Sequence, residues 1–172
     1  MLKSEIENKV LKLKNTYKTR KTQNVEWRRE QLKALERMLT EEAPAIQAAA
    51  YKDFHRSAFD SYVVDVRALE IECQEAIRQL NTWTKDIPAS VTFVQFPSSS
   101  FLRPEPLGTV LILGTWNFPM STTVGLAISA IAAGNCVLLK PSEISSASAQ
   151  MMADSTLKHK EKEHSKMNSS SS

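Results

Sequence analysis

GTWNFPMSTTVGLAISAIAAGNCVLLKPSE, residues 114–143, decides the fold of this 172-residue chain. Directly before it, residues 107–113 form a continuous apolar run, typical of a strand buried on both faces of a parallel sheet. Small and apolar residues over 122–133 predict a crossover helix, and 135–140 predict the next strand. A second helix is expected over 143–153. Strand, helix, strand, helix in this order predicts an α/β fold with right-handed parallel connections.

The amino-terminal half is predicted to be helical. Residues 3–19 carry a narrow apolar stripe at the spacing of one helix face. After a polar break, a second helix should begin near Asn24 or Val25. Pro44 is compatible with the first turn of a third helix, which should run to about residue 54.

A long fourth helix and a change of pattern follow. Ser57 is a candidate N-cap for a helix that reaches Lys85, and Pro88 ends it. From residue 91 the letters VTFVQF are rich in β-branched and aromatic residues, and PSSSF and LRPEP follow them. This stretch predicts a hairpin or a pair of edge strands. Ser142, which follows Pro141, or a neighbouring residue should cap the last predicted helix.

These elements predict an organisation in four parts. An N-terminal helical region over 1–88 precedes hairpin or edge strands over 89–106 and a partial, Rossmann-like parallel βαβα unit over 107–154. The last part, 155–172, has almost no apolar residue and ends in four serines, which predicts a disordered polar tail. Its two histidines, His159 and His164, fit a solvated tail better than a metal site, so no metal is expected.

Charge and hydropathy patterning bound the cellular context. Residues 1–40 hold 11 Lys/Arg against 5 Asp/Glu, which could attract nucleic acid or a membrane surface, but no aromatic interleaving or nucleic-acid motif accompanies the charge. A solvated helix face is the favoured interpretation. Residues 106–139 contain no charged side chain, yet Gly, Pro and Asn divide the run into pieces of core size rather than a membrane span. No signal peptide is recognised, so the cytoplasm is expected.

Two motifs at strand ends carry the candidate chemistry. Asn117, in the turn after the first parallel strand, could donate a hydrogen bond to charge developing on a substrate oxygen, or could cap the following helix; spacing alone favours the cap. Lys140 and Glu143, after the next strand, could form hydrogen bonds to the two hydroxyls of a ribose. Glu143 is equally well explained as an acidic residue in the first turn of a helix. Neither ordinary phosphate-binding glycine loop is present.

PLGTVLILGTWNFP and AIAAGNCVLLKPSE closely resemble the amino-terminal part of aldehyde dehydrogenases, in particular the class 3 and fatty aldehyde enzymes. KTRKTQNVEWRREQLKALERML resembles the helical region of the same group. The resemblance covers about residues 3–153. It implies NAD or NADP as cofactor and aldehydes, medium-chain, long-chain or aromatic, as substrates. It also allows membrane association for the parent family.

The resemblance implies roles for six residues of the two motifs. Asn117 would form part of the oxyanion hole. The ribose of the cofactor would be bound by Lys140 and Glu143, and its nicotinamide end by backbone around Gly114, Thr115 and Trp116. In the family a cysteine thiolate attacks the aldehyde, hydride passes to the cofactor, and a glutamate activates water.

The family's GQxC-type, ELGGK-type and GSTxxG-type segments do not occur in this sequence. The chain is therefore expected to be a truncated dehydrogenase that lacks the nucleophile and the base and is inactive alone. Its own cysteines, Cys73 and Cys136, are predicted on a helix face and a buried strand, as reduced and unreactive thiols. An alternative function is a non-catalytic module that pairs with a full-length subunit, since strands with few neighbours invite pairing. A peripheral membrane role would need a wider apolar stripe than residues 3–19 provide.

Overall fold

The computed structural model describes residues 3–156. The predicted tail lies almost entirely outside the described residues, as do His159 and His164. Within 3–156 the chain forms a helical layer beside a small parallel sheet, as the patterning predicted, and the α/β class of the sequence analysis is confirmed. The elements fall into three groups.

The helical layer contains five helices. They are α1 (Lys3–Lys18), α2 (Val25–Glu41), α3 (Ala43–Phe54), α4 (Ala58–Ser61) and α5 (Ala68–Trp83), with a short 3₁₀ turn at Lys21–Gln23. A π turn over Tyr62–Arg67 joins α4 to α5, so that the two form one continuous helical segment. The layer therefore has the four long helical stretches that the periodicity predicted.

Local signals place the starts of α2, α3 and α4 where the sequence predicted them. The Asn24 carboxamide oxygen accepts a hydrogen bond from the backbone N–H of Trp27 at 3.0 Å, and Ser57 Oγ accepts from Asp60 N at 3.0 Å. Both side chains thereby pair an N–H that the first helical turn leaves unsatisfied. Pro44 occupies the first turn of α3, where no N–H is needed.

The hairpin is present, but VTFVQF is not one of its strands. Strand β1 (Ile87–Ala89) pairs antiparallel with β2 (Ser100–Leu102), and VTFVQF lies in the connection, with a 3₁₀ turn over Phe93–Gln95. The Thr92 side chain and Gln95 close that turn as a capping box. Local hydrogen bonding has therefore overridden the β propensity of these residues. Pro88 lies in β1, and α5 ends before it at Trp83.

The parallel unit has the predicted order. Strand β3 (Thr109–Leu113) pairs in parallel with β4 (Cys136–Lys140), in the register Leu113 opposite Lys140. A π turn over Ser121–Gly125 and helix α6 (Leu126–Ala132) connect them, and helix α7 spans 146–156. The charge-free segment is thus strand, helix and strand. Within 3–156 no helix is long and apolar enough to cross a bilayer.

One expectation about β3 is wrong: the strand is not buried on both faces. Ile112 is buried, but Leu111 and Leu113, which alternate with it and point to the opposite face, are 55% and 63% exposed. The described sheet has two strands, and helix α1 covers this face incompletely, leaving a cleft of about 400 Å³. An apolar face therefore stays in contact with solvent.

The core lies between the helical layer and the crossover helix. Fully buried side chains of α2 and α5 pack against one another and against Ile128 of α6; among them are Leu32, Leu39, Leu69, Cys73 and Leu80. Each buried leucine contributes about 1.5–3 kcal/mol relative to an exposed one. This packing fixes α6, and with it the two strands that carry the candidate motifs.

Candidate functional site

The two motifs lie side by side at the carboxyl edge of the sheet. Because β3 and β4 are parallel and in register, their ends meet, and Gly114 N donates a hydrogen bond to Lys140 O at 3.0 Å. Open α/β sheets bind ligands at this edge. The structure thus brings together residues that are 26 positions apart in the sequence.

Gly114 is the point of closest packing in the site. A Cβ at this position would overlap the hydroxyl oxygen of Thr123 and would come within 3.3 Å of Thr123 Cβ and 3.5 Å of Pro141 Cα. Thr123 is fully buried in the π turn. Glycine is therefore required here by the close approach of two turns.

The turn after Gly114 is closed by a network of hydroxyl groups. Thr115 N donates to Thr122 Oγ1 at 3.0 Å, and Thr122 Oγ1 donates to Phe118 O at 2.9 Å. The Thr115 hydroxyl donates to Asn117 Oδ1 at 2.8 Å. Thr122 is therefore the residue that holds the turn together.

Asn117 does not cap the helix that follows. Its carboxamide oxygen accepts from Thr115 and its backbone oxygen accepts from Arg56 Nη2 at 3.2 Å. The side chain is exposed to solvent, and its Nδ2 group has no hydrogen-bond acceptor among residues 3–156. The cap that spacing alone favoured is therefore wrong, and a free donor stands at the sheet edge.

Lys140 and Glu143 form an ion pair in the same layer. The Lys140 Nζ group donates to Glu143 Oε2, and both side chains are exposed. The hydrogen bond from Lys140 holds the pKa of the Glu143 carboxyl below its usual range. A charged donor and a charged acceptor thus stand together at the carboxyl edge of the sheet.

The last helix begins differently from the expectation. Ser142 Oγ accepts from Ile144 N at 3.3 Å, within the turn. The cap of α7 is Asp53 of α3, whose two carboxylate oxygens accept from Ala147 N at 3.0 Å and Ser148 N at 2.8 Å. A carboxylate is favourable at a helix N-terminus. No local pattern could show a cap that comes from 94 residues earlier in the chain.

Both cysteines are unsuited to nucleophilic attack. Burial, followed by the charges of nearby glutamates, raises the pKa of Cys73 to about 12, and burial also raises the pKa of Cys136. A catalytic cysteine needs a lowered pKa and access to its substrate. Within the described part of the chain, no cluster of three or more His, Cys, Asp or Glu residues could hold a metal ion.

We expect neither thiol to react with Ellman's reagent at pH 8 in the folded chain, and both to react after denaturation in urea. Because the folded pKa of Cys73 is raised, its contribution to stability is complete below the unfolded thiol pKa of about 8.5 and is lost as the pH rises towards 12. Urea midpoints at pH 8 and pH 10 measure this loss. Rapid labelling of the folded chain would contradict the prediction.

Comparison with known proteins agrees with this geometry. The profile of the "Aldehyde dehydrogenase family" matches residues 2–160. The chain belongs to the aldehyde dehydrogenase family. It is 40% identical, over 83% of its length and 31% of the relative's, to "Aldehyde dehydrogenase family 3 member B1" of Bos taurus. The aldehyde dehydrogenase resemblance is therefore confirmed.

Solved structures share the fold. The Staphylococcus aureus AldH structure in its substrate-bound state has a TM-score of 0.85 at 31% identity, covering 87% of this chain and 33% of that one. Succinic semialdehyde dehydrogenase from Streptococcus pyogenes, in complex with NADP⁺, has a TM-score of 0.80 at 17% identity, covering 92% and 34%. This aldehyde dehydrogenase chain thus spans about a third of the length of the proteins it matches. Members of the family and its structural neighbours bind NAD or NADP.

Proposed function

We propose that this chain supplies the cofactor-side edge and the oxyanion donor of an NAD- or NADP-dependent aldehyde dehydrogenase. The observation that carries the proposal is the hydrogen bond between Gly114 N and Lys140 O, which brings the two motifs into one site. The substrates we propose are medium-chain, long-chain or aromatic aldehydes. We also place the protein in the cytoplasm.

The residues present fit a dinucleotide. Lys140 can donate to one hydroxyl of a ribose, and the Glu143 carboxylate can accept from the other. Gly114 presents backbone without a Cβ, with Thr115 and Trp116 exposed beside it for the nicotinamide end. Bound there, the cofactor supplies a hydride acceptor.

Asn117 is the residue proposed to act on the substrate. Its Nδ2 group is free to donate to the carbonyl oxygen of an aldehyde, because its Oδ1 is already held by Thr115. A fixed donor stabilises the negative charge that develops when the carbonyl is attacked, and loss of one such donor costs about 3 kcal/mol of barrier. The nucleophile and the base are not among the residues of this site.

Turnover by the chain alone is therefore not expected. The purified 172-residue chain, incubated with a long-chain aldehyde and NAD or NADP, should give no reduced cofactor above a blank without protein. The two thiols available are buried and have raised pKa values. Reduced cofactor formed in proportion to protein would contradict this part of the proposal.

Cofactor binding is the direct test of the site. We expect Glu143→Gln to weaken binding of NAD or NADP about tenfold, because a charged acceptor becomes neutral at a ribose hydroxyl. Isothermal titration calorimetry on the full chain measures the change. Glu75→Gln is the matched control, since Glu75 is an exposed glutamate paired with a cation three positions away, on α5. Equal affinities for wild type and Glu143→Gln would refute the role.

A second candidate function is pairing with a full-length homologous subunit. The exposed Leu111 and Leu113 on a two-stranded sheet favour it. The chain should then co-sediment with a full-length aldehyde dehydrogenase, and Leu111→Lys should abolish the complex. Ile71→Lys, at an exposed apolar residue of α5, is the control. Independent sedimentation of the two wild-type proteins would contradict pairing.

A further inference from the structure

Arg56 connects the helical layer to the turn that carries Asn117. It lies between α3 and α4, and its side chain is 17% exposed. Its Nη1 group donates to Asp65 Oδ2 at 2.7 Å, and its Nη2 group donates to the backbone oxygen of Asn117 at 3.2 Å. One planar guanidinium therefore bridges two elements that are far apart in the sequence.

Asp65 holds Arg56 in place from within the helical layer. The carboxylate lies in the π turn over Tyr62–Arg67 and is 1% exposed. The Ser61 hydroxyl donates to the same oxygen at 3.0 Å. A buried carboxylate is costly unless it is paired. Arg56 is the cation that pairs with it, so the position of the guanidinium is set by the core.

Two aromatic rings flank the same guanidinium. Its central carbon lies 5.4 Å from the centre of the Phe54 ring and 5.2 Å from that of Phe118. Phe54 ends α3, and Phe118 follows Asn117 in the turn. Stacking on a ring face is a favourable contact for arginine that lysine does not reproduce in the same geometry. The turn is thus held at two neighbouring residues, by the Asn117 carbonyl and the Phe118 ring.

We propose that Arg56, oriented by Asp65, is a positioning residue that fixes the 115–118 turn and thereby aims the Nδ2 group of Asn117. The role rests on the proposed function, because aiming matters only if Asn117 acts on a substrate. Thr115 restrains the side-chain oxygen of Asn117, and Arg56 restrains its backbone oxygen. Together the two contacts leave the amide nitrogen as the free group.

Hydrogen exchange of single amides in the full chain tests the proposal without cofactor. The Thr115 amide is protected by Thr122 Oγ1 and reports on the turn, whereas the amides of α2 report on the core. We expect Arg56→Gln, which also leaves the buried Asp65 without its cation, to accelerate exchange at Thr115 about tenfold or more and by a larger factor than in α2, because a charge-assisted contact to the turn is lost. Arg56→Lys keeps the positive charge but loses the planar guanidinium that donates to two acceptors at once. This variant should accelerate exchange at Thr115 as well. The side-chain amide resonance of Asn117 should shift in both variants.

Arg103→Gln is the matched control. Arg103 also pairs with an aspartate, Asp86 at 2.7 Å, and lies over a phenylalanine ring, but it belongs to the hairpin. It should leave Thr115 and Asn117 unchanged. Unchanged exchange at Thr115 in both Arg56 variants would overturn the proposal, as would equal acceleration at Thr115 and α2 in Arg56→Lys. Failure of cofactor binding in wild type would instead count against the proposed function.

Discussion

Arg28→Met is expected to lower the free energy of unfolding by about 3–5 kcal/mol, the largest effect of any single change proposed for this chain. Arg28 is 6% exposed, and its side chain connects α2 to the 3₁₀ turn at Lys21–Gln23 and to α6. Its guanidinium donates to Thr22 O at 2.8 Å, Gln23 O at 3.0 Å and Ala132 O at 3.2 Å. Methionine has a similar volume but leaves these three carbonyl oxygens without their donor.

Because Arg28 joins two parts of the structure, its replacement should destabilise both of them. Burial lowers the pKa of its guanidinium, a sign of the desolvation that the three carbonyls offset. One of them, Ala132 O, ends α6, so Arg28 joins α2 to the crossover helix of the parallel unit. The guanidinium atoms of Arg28 also lie within 2.6–2.7 Å of the position that a Cβ on Gly134 would occupy. The backbone there has a φ of +89°, which favours glycine.

Urea unfolding followed by far-ultraviolet circular dichroism measures this prediction. Arg37→Met is the control, because Arg37 is an exposed arginine of the same helix. Its effect should stay within about 0.5 kcal/mol. A loss of less than about 1 kcal/mol for Arg28→Met would show that the tie between α2 and α6 is not needed.

Gly114→Ala is expected to damage both stability and the site. The added methyl group would overlap the buried hydroxyl of Thr123, and β3 and the turn would have to separate from Pro141. Overpacking of this kind costs about 1–3 kcal/mol. Because the shift falls on the turn beside Lys140, we also expect affinity for NAD or NADP to fall about a hundredfold. Urea unfolding and calorimetry measure the two effects.

Two further variants make the Gly114 prediction specific. Thr123→Ala in the Gly114→Ala background removes the overlapping oxygen, which is buried with no hydrogen-bond partner within 3–156, and should restore most of the loss. Gly125→Ala, at a helical position where a Cβ meets Leu69 at 3.1 Å, should have a smaller effect, because alanine favours the helix. If the double variant is no better than Gly114→Ala, steric overlap is not the cause.

The parts of the site that the sequence predicted are formed by residues close together in the chain. The turn at 114–119 and the Lys140–Glu143 motif are local, and their strand-end positions follow from the order of apolar runs. The residues that sequence reasoning missed act at long range. Arg56 contacts Asn117 across 61 positions, and Asp53 caps α7 from 94 positions away. Nothing in the letters around either residue distinguishes it from an ordinary surface charge.

In the hairpin, a strong local signal predicts the wrong secondary structure. VTFVQF has strong strand propensity, yet the chain pairs Ile87–Ala89 with Ser100–Leu102 and leaves these residues at the turn, where Phe93 and Val94 are more than 90% exposed. Strand propensity expresses packing on a half-buried surface, which these residues lack within the described chain. Strand propensity therefore predicts the hairpin correctly but assigns one of its strands to VTFVQF, which forms the connection.

The sequence by itself determined the βαβ order, the starts of α2, α3 and α4, and the membership of the aldehyde dehydrogenase family. These follow from periodicity, capping and short-range spacing, which are properties of neighbouring residues. Only the tertiary structure decided that Asn117 leaves its amide free, that Arg56 and Asp65 hold its turn, and that one face of the sheet is open. The contact that connects Arg56 to Asn117 spans 61 positions, and such a contact exists only once the core has fixed the helices against the strands.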